Sequence, residues 1–166
     1  MTEGDDAPIL LTCVTLGYDE FHDRIYIDGR TAEESRIRLW ITQRLIRRLA
    51  AYLIENGHKT SADDKPVKND SFIGSESASL ETPVAYMYGD PNFLVHSVDV
   101  TRRQSDILLL LKSESVGQSA LFALPKAATR KWLDGLSRCF KTAEWPPILD
   151  FSSAQPDNQE SFATIH

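Results

Sequence analysis

Arg36-Ile37-Arg38-Leu39-Trp40-Ile41-Thr42-Gln43 is where the hydrophobic period of this chain changes. Ile37, Leu39 and Ile41 alternate with Arg36, Arg38 and Trp40, so a strand is expected with an apolar side and a side bearing two arginines and an indole. Leu45, Ile46, Leu49, Tyr52 and Leu53 then recur at helical spacing, with Arg44, Arg47 and Arg48 off that stripe. Thr42 lies at the junction, where its hydroxyl can cap a first-turn amide, and Asn56-Gly57 supplies the stop. A strand running directly into an amphipathic helix is therefore expected here.

Upstream, Arg24-Ile25-Tyr26-Ile27-Asp28 alternates and is expected to end at Gly29. The short polar connection 29–35 favours an antiparallel pair, because a parallel one needs a crossover of about a dozen residues. Ile9-Leu10-Leu11-Thr12-Cys13-Val14-Thr15-Leu16 reads as a first strand that stops at Gly17. Downstream the pattern recurs. Strands are expected at 93–100, 106–112 and 120–124, with Ile107, Leu109 and Leu111 opposed by Leu108 and Leu110, so the middle one is central or covered. Pro125 can open a helix whose stripe is Trp132, Leu133, Leu136, Cys139 and Phe140, and Trp145-Pro146-Pro147 ends it.

A shift of 83 residues sets Asp23 on Asp106, Ile25 on Leu108, Ile37 on Ala120, Leu49 on Trp132 and Leu53 on Leu136 without a gap. Two β-β-β-α units are therefore expected. Each is too small to bury a stable core alone, so both should enclose one interior. The expected fold class is α+β, a β-sandwich or partly open barrel with two flanking helices. Residues 1–149 form a single domain on this reading, with a mobile acidic insert at about 58–82, and 150–166 form a disordered acidic tail.

This order of elements over residues 9–141 resembles the head domain shared by the eukaryotic end-joining scaffold protein and the centriolar cartwheel protein. The resemblance implies a homodimerising, non-catalytic module. In that family the last helix continues into a parallel coiled coil. Here the apolar stripe stops at Phe140 and two prolines follow, so the stalk is not expected.

The composition is that of a globular protein, with 42% hydrophobic and 25% charged residues, which excludes a wholly disordered or collagen-like chain. The net charge of −6 hides a segregation: residues 22–54 carry +3 and 93–141 carry +4, while the segments around them are acidic. Two scattered cysteines, Cys13 and Cys139, suit a reducing cytoplasm and make neither a disulfide framework nor a zinc site. The acidic start and the absence of a long apolar run indicate neither a signal peptide nor a transmembrane helix. Phosphate-loop, dinucleotide, nucleophile-elbow and zinc-protease motifs are all missing. Cys13 and His96 coincide under the shift but read as unrelated strand residues. No catalytic, cofactor or metal residue is assigned, and an enzyme is not expected.

Two surfaces remain. Tyr26, Arg36, Arg38 and Trp40 share one outward strand face, and Trp, Tyr and Arg are the residues enriched at interfaces. They are the candidate interface, unless another part of the chain covers that face. Arg44, Arg47, Arg48, Arg102, Arg103, Arg130 and Lys131 form the candidate basic patch. The leading expectation is a cytoplasmic protein–protein interaction or dimerisation module, most simply a homodimer. A nucleic-acid-associated protein using the arginines is the first alternative, disfavoured by a pI near 5.2. A small-molecule binder with Tyr86–Tyr88 as a lid is the second.

Overall fold

Alternating apolar side chains in the first half generate β1 (Ile9–Leu11), β2 (Cys13–Asp19), β3 (Arg24–Arg30) and β4 (Arg36–Ile41), followed by α1 (Gln43–Gly57). The second half gives β5 (Asn92–Arg102), β6 (Asp106–Ser113), β7 (Ser119–Pro125), α2 (Lys126–Thr142) and β8 (Phe162–Ile165). A computed structural model of the chain describes residues 7–57, 83–115, 117–148 and 162–166. The expected insert at 58–82 lies outside the described residues.

Seven strands follow one another in the order β1-β7-β6-β5-β4-β3-β2, and β8 pairs with β5. The β1–β7 and β4–β5 pairs are parallel, whereas every other pair is antiparallel. The two ends of this series, β1 and β2, are separated in the chain by Thr12 alone, whose N–H and hydroxyl both donate to the Arg30 carbonyl. The sheet therefore curls round on itself as a half-barrel. β5 joins the halves. Its first residues run beside β4, a register shift falls between Val95 and Ser97, and the remainder pairs with β6 and, over Val98–Thr101, with β8.

The interior is one cluster. Ile25, Ile27, Leu39 and Ile41 from β3 and β4 meet Val98, Val100, Leu109 and Leu111 from β5 and β6, with Leu49 and Leu53 of α1 and Leu136 and Phe140 of α2 packed on them. Full burial of one such side chain stabilises by about 1.5–3 kcal/mol. Thr42 caps α1 as expected, its Oγ1 accepting from the Leu45 N–H at 3.3 Å.

Several expectations need correction. Among the described residues the fold is a mixed α+β curled sheet with two helices, so the barrel alternative holds in coarse form and a two-sheet sandwich does not. The expected first strand is two strands, kinked at Thr12. Gly17 and Gly29 do not break their strands, because each is a packing site for a large neighbour. A Cβ on Gly17 would lie 2.2 Å from the Tyr26 ring, and one on Gly29 would lie 2.6 Å from Leu11 Cδ1. The gapless 83-residue match also fails in β6, where Ile107, Leu109 and Leu111 are the buried residues and Leu108 and Leu110 are not. Within the expected disordered tail, 162–165 is a strand, because β5 has an edge to be paired and Ile165 reaches the core.

Gly17→Ala should destabilise the protein by about 1–3 kcal/mol in urea melts, the usual cost of overpacking. The same substitution in a Tyr26→Ala background should cost much less, since the ring it strikes is gone.

Candidate interaction face

Register alone puts the outward side chains of β2 to β5 in rows. Thr15, Asp28, Arg38 and Asn92 form one row, and Gly17, Tyr26, Trp40 and Leu94 form the next. Asp28 is only 3% exposed although it stands on the outer face. It is covered by the segment 83–91. Val84 N–H donates to Thr15 Oγ1 at 3.0 Å, Tyr86 N–H to Asp28 Oδ2 at 3.2 Å, and Arg38 N–H to the Pro91 carbonyl at 3.0 Å.

Arg38 is the centre of this face. Its Nε and a terminal nitrogen donate to the two Asp28 carboxylate oxygens at 2.6 and 2.7 Å. The guanidinium carbon lies 3.8 Å from the Tyr26 ring centroid, 4.4 Å from that of Tyr86 and 5.1 Å from that of Trp40. A planar cation is thus held edge-on by a carboxylate and flanked by three aromatic rings. The bond to Asp28 keeps the Arg38 pKa above its ordinary value. Burial raises that of Tyr26, the nearby guanidinium opposing it.

The cluster extends outward. The His22 ring lies 4.9 Å from Trp40, and His22 is fixed by its own N–H and Nδ1 to Asp19. The backbone bond from His22 lowers the Asp19 pKa. Trp40 Nε1 donates to Asn92 Oδ1 at 3.3 Å, and Arg36 pairs with Asp90 at 3.3 Å. Phe21, Tyr88, Met87 and Leu94 then stand exposed, Phe21 at 91% and Tyr88 fully. All four predicted interface residues, Tyr26, Arg36, Arg38 and Trp40, therefore belong to one face. Arg36 and Arg38, however, have their charges partnered within the chain. Sequence reasoning missed Asp28, which alternation treats as a solvated outward acid. Its position opposite Arg38 follows once β3 and β4 are paired.

The predicted basic residues lie on α1, at the end of β5 and its turn to β6, and on α2. Arg47 donates to the Pro146 and Pro147 carbonyls and lies 4.8 Å over the Phe140 ring, and Arg48 donates to the His166 carbonyl. Arg103 forms a two-pronged pair with Asp106 at 2.6 and 2.7 Å, and Arg102 also has a partner. Arg44, Arg130 and Lys131 are exposed on two different helices. Tyr86 lies over Arg38. A second outer surface, missed by the sequence reading, is aliphatic: Leu10, Leu121 and Leu110 are successive cross-strand neighbours, and Leu10 is 62% exposed.

No family model, no curated protein and no solved structure matches this chain. Among the described residues no helix is long and apolar enough to cross a membrane, and no cluster of three metal-ligating side chains is present.

Arg38→Met should cost up to about 3–5 kcal/mol in denaturant melts, because it strands the Asp28 carboxylate away from water. The Asp28→Asn, Arg38→Met pair should cost less than the sum of the two single changes. At the neighbouring end of β2, Tyr18 donates to Asp23 at 2.7 Å, and that bond pushes its pKa up to about 12. Its neutral form is favoured by the fold, so this contribution is complete below the unfolded tyrosine pKa of about 10 and fades as pH rises to about 12. The highest step of an ultraviolet phenol titration should vanish in Tyr18→Phe.

Proposed function

We propose that this chain is a non-enzymatic protein–protein interaction module that associates with a second copy of itself through the outer face around Trp40. The observation that carries this reading is the exposure of Phe21, Met87, Tyr88 and Leu94 beside a face whose ordered centre is the Asp28–Arg38 pair and its three rings. Large apolar groups grouped on a surface mark association sites. The rigid cage beneath them lowers the entropy lost on docking.

The finer organisation belongs to the same proposal. We take the chain as two units of three strands and a helix around one interior. Supporting this, β4 and β7 begin 83 residues apart at Arg36 and Ser119, as do α1 and α2 at Gln43 and Lys126. The parallel seams agree too. Leu39 pairs with Phe93, and its counterpart Phe122 pairs with Leu11, given an offset one residue shorter for the preceding strands. In the second unit Leu121 and Ala123 replace Arg38 and Trp40, so only the first unit carries the aromatic face. The resemblance to a homodimeric head domain agrees with self-association, here through a sheet surface because α2 ends at Thr142 before Pro146-Pro147.

Light scattering should give a dimer mass for the native chain and a monomer mass for Trp40→Glu and Phe21→Glu. A monomeric native chain removes the proposal. A dimer lost with Leu121→Glu but kept with Trp40→Glu moves the interface to the aliphatic surface. The nucleic-acid alternative predicts binding of labelled DNA or RNA that falls steeply with salt. With Arg47, Arg48 and Arg103 engaged within the chain, no such salt-dependent affinity is expected.

A further inference from the structure

β8 follows residues 149–161 and touches β5 and α1. We propose that the edge of β5 at Val98–Thr101 is a strand-accepting site for an extended peptide of another protein, and that β8 is its tethered resident. This rests on the interaction-module reading and adds a second surface to it, with the chemistry of the partner.

The resident strand displays what the site recognises. Val98 to Thr101 pair antiparallel with Ile165 to Phe162, so backbone groups supply the pairing. Ile165 is buried in the common core. Thr164 Oγ1 donates to Asp99 Oδ1 at 2.8 Å, and Lys112 holds the other Asp99 oxygen at 2.7 Å. Arg48 donates to the carbonyl of the next residue. The accepted sequence is thus extended, with a hydroxyl residue, then a branched aliphatic, then a carbonyl facing a guanidinium.

A four-residue strand opens at a lower free energy than the whole domain unfolds. Without it, the paired edge of β5 and the seat of Ile165 would face water, and such an edge is a template for another strand. Because β8 belongs to the same chain, its pairing with β5 is intramolecular, so it screens out weak peptides and yields to a stronger one.

The probe is a fluorescein-labelled peptide of residues 160–166, measured by anisotropy against the full-length native chain and against full-length Ile165→Glu, whose own β8 is expelled by a charge in the core. Binding to the variant should be about tenfold tighter or more, and the peptide carrying the same Ile165→Glu change should not bind. Equal affinity for both chains, or no binding to a variant that still melts cooperatively, overturns the proposal. Should that variant lose its cooperative melt, disulfide trapping decides. A peptide with Cys at position 164 should cross-link to full-length Asp99→Cys with Cys13 and Cys139 changed to Ser, and absence of the cross-link overturns the proposal. A covalent dimer between Asp99→Cys and Thr164→Cys chains also overturns it, by giving the edge to a second copy. In either failure, a dimer still broken by Trp40→Glu leaves the interaction-face reading standing.

Discussion

Two short parallel seams hold this molecule together. Ile9–Leu11 lies beside Ala120–Phe122, and Asn92–Leu94 lies beside Arg38–Trp40. Each seam joins a strand of the first half to a strand of the second. Both halves consequently direct their apolar faces into one interior, where Leu39, Val100, Leu109 and Leu136 are all fully buried. A smaller domain buries a smaller fraction of its surface on folding, so a shared interior favours both halves. The seams set the curl of the sheet, the seats of the helices and the spacing of the outward rows.

The outer face inherits its order from the inner one. With Ile27 and Leu39 inside, Asp28 and Arg38 are forced outward as register partners, and Gly17 leaves the space in which Tyr26 lies. Segment 83–91 then covers Asp28 and adds Tyr86 to the cage around Arg38. A carboxylate is buried there only because a guanidinium meets both of its oxygens. Beside this cage Phe21, Met87, Tyr88 and Leu94 remain exposed. The β5 edge is a separate matter, governed by backbone pairing and the seat of Ile165.

Much of this was legible in the sequence where one physical rule acted alone. The alternation at 36–41, the helical stripe from Leu45 to Leu53 and the cap at Thr42 are local, and each was readable. The outward placement of Tyr26, Arg38 and Trp40 followed from the same alternation. Gly17 and Gly29 misled because glycine marks both a break and a close approach, and only the partner across the sheet distinguishes them. Asp28 was invisible as a buried ion because its cover comes from residues 83–91, far along the chain. The one-residue slip that exchanges Leu108 for Ile107 was hidden by a strand apolar on both sides. β8 escaped notice because its reason is the vacant edge of β5, a tertiary fact.

Differential scanning calorimetry of the intact chain tests the common interior most directly. If both halves fold around it, heat absorption occurs in a single transition whose van't Hoff enthalpy equals the calorimetric enthalpy. Two resolved transitions, or a van't Hoff enthalpy near half the calorimetric one, would mean that the halves melt as separate bodies and would contradict the account.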